Sequence, residues 1–147
     1  MMKHRKVASI FVLVFLCSAQ VVLAQVPSSS PSLEIPADQV QYKDQGQGGP
    51  QLGVVWGDPS KGPYGAFLRL PKGFVSPVHL HTGDYSGVVV EGTVTNAEIG
   101  QLEIPLGAGS YFFQRGNVDH VTKCVSNTDC LFYLSQSKPL DFIVHKK

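Results

Sequence analysis

His79 and His81 are the residues whose types and spacing point most directly to chemistry in this 147-residue chain. They stand two apart in a stretch read as a strand. Side chains alternate across a strand, so both rings leave the same face, which Val75 and Pro77 share, while Phe74, Ser76, Val78 and Leu80 take the other. Burial alone would leave ring nitrogens without partners. A metal ion takes one nitrogen of each ring and fixes the other as a donor. A hydrogen-bonded or solvated histidine pair is the plainer reading of His-x-His taken alone. Of the other three histidines, His4 lies in the N-terminal leader and His145 beside Lys146 and Lys147 at the chain end, which leaves His120.

The elements that must position these rings read as short strands separated by turns. Strands are expected over Gln51–Trp56, Tyr64–Leu70, Phe74–His81, Tyr85–Thr95, Ser110–Gln114, Val118–Cys124, Leu131–Ser135 and Phe142–His145, with Glu98–Ile104 a strand or extended segment. Gly and Pro fall almost entirely between them. No window carries the 3.6-residue apolar period of a helix. The class is all-β, a sandwich or barrel. Trp56, Tyr111, Phe112 and Phe113 read as core aromatics, although adjacent Phe112 and Phe113 cannot share a face. Arg69 reads either as an exposed strand arginine or as a guide for an anionic ligand.

The N-terminus has a different grammar. Lys3, Arg5 and Lys6 precede an apolar run from Ile10 to Leu16, and Val22-Leu23-Ala24 supplies small residues for a cut before Gln25. This is the layout of a cleavable secretory signal peptide over residues 1–24. Ser18 and Gln20 interrupt the run, short of the ~18–20 apolar residues of a membrane span. Residues 25–33, rich in Ser and Pro, read as a flexible leader. Residues 34–147 remain as one domain. The expected location is periplasmic or secreted, with no stable membrane anchor after cleavage. The processed chain keeps nine Lys and Arg against eleven Asp and Glu, a net charge of −2. No basic stripe survives, which argues against nucleic acid as a partner.

Cys124 and Cys130 flank the polar turn Val125–Asp129. Two strands joined there would bring the sulfurs together, and an oxidising compartment would favour a disulfide. Two small buried apolar side chains are the alternative.

The wider spacing carries a family resemblance. Gly73, His79, His81, Tyr85 and Gly92 are separated by five, one, three and six residues. Gly109, Arg115-Gly116-Asn117, His120 and Cys124 follow with gaps of five, two and three. These stretches resemble the two cupin motifs, in order, over residues 73–124. The wording around them looks like a bacterial subgroup of unassigned function. The resemblance implies a cupin-type β-barrel, a double-stranded β-helix or jelly roll, with one divalent metal on His79, His81 and His120. It also brings the expectation of a homodimer.

The departures from the family pattern bear on the site. Tyr85 stands where the family places a glutamate ligand. Arg115 replaces a proline, Asn117 a glycine and Cys124 an asparagine. Three neutral imidazoles leave the ion its full charge. Tyr85 is a candidate catalytic residue, as a phenolate ligand, as a hydrogen-bond donor to a bound group, or as a core aromatic with its hydroxyl at the rim. Alternation from Tyr85 places Gly87, Val89 and Glu91 on the same face, making Glu91 a candidate proton carrier at the barrel mouth, against the plainer reading of a solvated strand-end charge. Imidazole sites suit Fe, Zn, Ni and Cu; Mn stays among the expected ions. The functional expectation is a metal-dependent enzyme on a small organic substrate, a dioxygenase or a lyase/isomerase, with a non-catalytic small-ligand or metal-binding module as the alternative.

Overall fold

The computed structural model describes residues 32–145. The expected signal peptide and most of the expected leader lie outside the described residues. The described residues from Glu34 onward form a compact unit of their own. After a 3-10 turn at Ala37–Gln39, the described chain runs through eleven strands. They are β1 (Tyr42–Asp44), β2 (Gln51–Gly57), β3 (Tyr64–Leu70), β4 (His79–Leu80), β5 (Tyr85–Glu91), β6 (Thr93–Glu98), β7 (Leu106–Gly107), β8 (Tyr111–Gln114), β9 (His120–Cys124), β10 (Cys130–Gln136) and β11 (Ile143–Val144).

Two antiparallel sheets face each other. One has the order β1-β2-β3-β10-β5-β8 and the other β11-β4-β9-β6-β7. Period-two burial is clearest in β10, where Cys130, Phe132, Leu134 and Gln136 are buried and the residues between them are not. In β9 the buried set is His120, Thr122 and Cys124. The core forms where these inward faces meet, around Leu52, Tyr64, Leu70, Val89, Val94 and Phe132.

The structure corrects the sequence reading at several places. The expected strand Phe74–His81 is regular only at His79–Leu80. Pro77 has no backbone N–H to give to a ladder, and the stretch before it holds to β9 through separate bonds, Ser76 N–H to Thr122 O at 3.0 Å and Cys124 N–H to Phe74 O at 2.9 Å. Alternation fails there: Ser76 is buried and Val75 is 58% exposed. The expected strand Tyr85–Thr95 is two strands in different sheets, divided at Gly92 with φ +76°. The stretch Glu98–Ile104 is not a strand; β6 ends at Glu98 and an irregular segment follows. Short β1 was not expected at all; it edges the first sheet, where Arg69 of β3 stacks on Tyr42 at 4.4 Å.

The aromatic expectation also divides. Phe112 is buried against Phe132 and Tyr85. Phe113, Tyr111 and Trp56 are instead exposed. β8 is an edge strand, so alternation sends Tyr111 and Phe113 outward. Trp56 lies over Gly65, with its indole N–H donating to the Tyr133 hydroxyl at 2.8 Å.

Cys124, closing β9, and Cys130, opening β10, are joined, with sulfurs 1.99 Å and Cα atoms 5.7 Å apart. The bond ties the end of one sheet to the start of a strand in the other. Gly92 packs directly on this link. A Cβ at Gly92 would meet the Cys130 sulfur at 2.9 Å, the Ser126 hydroxyl at 2.8 Å and the Asp129 carbonyl at 3.0 Å. Replacing Gly92 with Ala therefore combines backbone strain with overpacking and should cost at least about 2 kcal/mol. Gly100 has a similar φ, +83°, but nothing within 4 Å, so Gly100→Ala should cost only about 1 kcal/mol. Urea unfolding of the two variants measures the difference; equal midpoints would contradict the packing account.

Candidate metal centre

The three expected histidines come together. His79 in β4 pairs directly with His120 in β9, and His81 follows β4 by one residue. One nitrogen from each ring lies within 4.8 Å of the other two. The ring centroids of His79 and His120 are 4.2 Å apart, and those of His79 and His81 5.0 Å. His79 and His120 are buried, and His81 is partly buried.

The backbone decides which nitrogen each ring presents. Nδ1 of His79 lies 2.9 Å from the carbonyl oxygen of Pro77, and Nδ1 of His120 lies 3.0 Å from that of Val118. Nδ1 of His81 meets the carbonyl oxygen of Asp141. A carbonyl oxygen can only accept, so each Nδ1 carries the proton and donates. The three Nε2 atoms are left unprotonated, that of His120 with the Tyr85 hydroxyl 3.1 Å away. Neutral rings of this tautomer, gathered within reach of one another, are the donor set a divalent transition metal requires.

Electrostatics keeps the rings neutral. Burial lowers the pKa of His79 from the ordinary 6.5 to about 4, against the opposing carbonyl of Pro77. Burial also lowers His81 and His120. The turns that hold the rings are interlocked. Asp141 accepts from Thr82 N–H at 3.0 Å, Asp84 accepts from Gly116 N–H at 2.7 Å, and His81 C=O accepts from Asn117 N–H at 2.7 Å. Asn117, where the family pattern has glycine, is the non-glycine residue with positive φ among the described residues, at 60°. Asparagine is among the few side chains that tolerate this conformation, so the departure leaves the turn intact.

Tyr85 enters from the opposite sheet. Its hydroxyl lies 3.1 Å from His120 Nε2 and 3.0 Å from Asn96 Oδ1. Burial pushes its pKa up, so it stands at the site as a protonated phenol. Asn96 is held in turn by Thr122 Oγ1, which donates at 2.6 Å, and by its own Nδ2, which donates to Gln114 Oε1 at 3.0 Å.

Glu91 is not brought to the site. Tyr85, Gly87 and Val89 are buried as alternation requires, but Glu91 is exposed. A bulge in the β5–β10 pairing sets Phe132 opposite Val89 and Leu131 opposite Glu91, so Val90 is an extra residue and the inward phase is lost one step before Glu91.

Several contributors were not picked out from the sequence. Asn96, Thr122 and Gln114 are inward polar residues, and counting by twos from Val94, His120 and Phe112 would have marked them. Ser76 and the C-terminal segment gave no such signal. Phe142 stacks on His79 with centroids 4.2 Å apart, and Asp141 holds His81 across 60 residues of sequence.

A cavity of about 380 Å³ opens beside His79 and His81. His79, His81, Tyr85, Ser76 and Thr122 line it, together with leucines and aromatic rings.

Residues 37–143 match the family model described as a domain of unknown function, DUF4437. The chain belongs to this family. No curated protein matches the sequence. Among solved structures, the DUF4437 chain is similar to an RmlC-like cupin from Shewanella frigidimarina, with 24% identity and a TM-score of 0.61 over 76% of this chain and 93% of that one. It is similar to the polyketide cyclase RemF from Streptomyces resistomycificus, with 14% identity and a TM-score of 0.66 over 80% and 88% of the two chains. A structure described as DMSP lyases RdDddP and RnDddQII matches with 14% identity and a TM-score of 0.62 over 75% and 64%. At these identities the likeness establishes the cupin fold of the DUF4437 domain.

The burial that lowers the pKa of His79, His81 and His120 sets a pH dependence of stability. As pH falls below about 6.5 the unfolded chain takes up protons that the folded chain refuses until about 4, where His79 titrates. Stability is intact above this window and is lost as pH falls through it. Thermal unfolding of metal-free protein should show a midpoint that drops steadily from pH 7 to pH 4.5, and less steeply in His79→Asn. A flat profile in the wild type would contradict the buried neutral tautomers.

Proposed function

We propose that this chain is an exported cupin that holds a metal on His79, His81 and His120 and acts on a small organic substrate in the adjoining cavity, which His79 and His81 line. The observation that carries the reading is the convergence of three Nε2 lone pairs, each fixed by a backbone carbonyl behind its ring. Three protein ligands leave coordination positions open, as a catalytic site requires. A divalent ion of the Fe, Zn, Mn, Ni or Cu kind would supply a Lewis acid for a substrate oxygen, and reactions of the dioxygenase or lyase/isomerase type fit that chemistry.

The chain's own residues have definable parts. His79, His81 and His120 bind through Nε2. Tyr85 places its hydroxyl beside His120, and turning its proton from Asn96 toward the site would let it donate to a bound group. Asn96 and Thr122 orient that hydroxyl. Phe142 covers His79.

A second reading, a non-catalytic ligand-binding module, has its own support. Among the described residues lining the cavity there is no carboxylate to serve as a general base. Two of the cupins with similar folds are described as a cyclase and as lyases, which favours the enzyme. Export is supported by the Cys124–Cys130 link. Among the described residues, no helix is long and apolar enough to cross a membrane.

Native mass spectrometry of the protein recovered from outside the cytoplasm tests these points together. The expected species begins near Gln25, lacks free thiols and carries one divalent ion per chain, and His120→Ala reduces occupancy at least tenfold. A chain starting at Met1 would remove the export reading. No bound ion, or equal occupancy in the variant, would remove the metal site.

A further inference from the structure

We propose that the substrate has an uncharged hydrocarbon body, aromatic or alicyclic, whose one polar function faces the histidines; this rests on the reading of His79, His81 and His120 as the reacting centre. The inference comes from what the cavity wall offers. The six-stranded sheet contributes Leu52, Leu68, Leu70, Phe132 and Leu134. Phe74, Leu140 and Phe142 also line the cavity. Among the described residues lining it there is no Lys, Arg, Asp or Glu.

The polar groups in the wall are already committed. The Tyr64 hydroxyl donates to Gln136 Oε1 at 3.2 Å. The amide nitrogen of Gln136 donates to the carbonyls of Lys138 at 3.3 Å and Pro139 at 3.0 Å. The hydroxyls of Thr122 and Tyr85 both point to Asn96 Oδ1. Gln45, at the margin, donates to Lys43 O at 3.1 Å. A charged group placed along this wall would lose its hydration and find no opposite charge and no spare set of donors, which makes its burial costly.

Unspent polarity gathers at one end. Ser76 Oγ lies 3.3 Å from His79 Nδ1 and accepts from Thr122 N–H at 3.0 Å. Since His79 Nδ1 gives its proton to Pro77 O, the Ser76 hydroxyl proton stays free for a ligand. His79 and His81, whose Nε2 atoms are unprotonated, line the cavity beside it. The cavity therefore has a hydrocarbon-lined body and one polar end. Its volume, about 380 Å³, lies near the lower limit for small-molecule pockets, which suits a compact molecule of one or two rings. Sugar acids, phosphorylated metabolites and amino acids do not match this wall.

The test compares two probes with the same ring and hydroxyl, 2-naphthol and 6-hydroxynaphthalene-2-sulfonate, which differ in one fixed charge. Calorimetric titration of chelator-treated, full-length processed protein should give at least tenfold tighter binding of 2-naphthol. Leu68→Trp and Leu140→Trp, which fill the cavity from two sides, should each weaken 2-naphthol at least tenfold. If Leu68→Trp fails to fold, Leu140→Trp, in the irregular segment before β11, carries the test. A preference below tenfold, no binding of 2-naphthol, or affinity unchanged in the folded variants would overturn the inference. Metal titration of the same sample separates the two claims. Metal uptake without the probe preference defeats the substrate class alone, and the preference without metal uptake defeats the metal reading alone.

Discussion

Three backbone carbonyls, those of Pro77, Val118 and Asp141, hold the centre of this molecule in its chemical state. Each accepts a proton from the Nδ1 of one histidine, and each thereby turns an Nε2 lone pair toward the other two. Without them, buried imidazoles could adopt either tautomer, and neighbouring Nε2–H groups would be left without acceptors in a poorly solvated site. Two of these carbonyls lie two residues before their own histidine, so the local chain path carries the constraint. The third comes from the C-terminal segment, so the site is complete only when β11 has docked beside β4.

The sheets serve this arrangement in different ways. The five-stranded sheet holds His79 and His120 as a cross-strand pair and ends in the turn that carries His81. The six-stranded sheet supplies Tyr85 and most of the apolar wall. Where the family pattern has a carboxylate, this chain sends in a buried phenol with a raised pKa. The centre therefore exchanges a permanent negative ligand for a neutral phenol that donates to Asn96 and lies beside His120 Nε2. That exchange leaves the charge of any bound ion uncompensated by the protein and assigns its neutralisation to the substrate or solvent.

Much of this was legible in the sequence because it rests on short-range spacing. His79 and His81, two apart, and the two spaced motifs carry most of the centre, and the polar turn between Cys124 and Cys130 marks the strand link. What escaped depends on events that spacing does not encode. Pro77 interrupts the ladder, so Ser76 rather than Val75 turns inward. The bulge at Val90 reverses the phase of β5, so Glu91 faces solvent. Gly92 moves the chain from one sheet to the other inside what reads as a continuous apolar run. Asp141 and Phe142 reach His81 and His79 through tertiary docking alone. The outward aromatics Trp56, Tyr111 and Phe113 show that an apolar side chain on a strand is not thereby a core side chain.

The most direct measurement of the central claim needs no metal and no substrate. Long-range proton–nitrogen correlation spectra of metal-free, ¹⁵N-labelled protein at neutral pH report the tautomer of each histidine. The carbonyl arrangement predicts protonated Nδ1 and unprotonated Nε2 on His79, His81 and His120 alike. An Nε2–H tautomer, or a doubly protonated ring, at any of the three would contradict it.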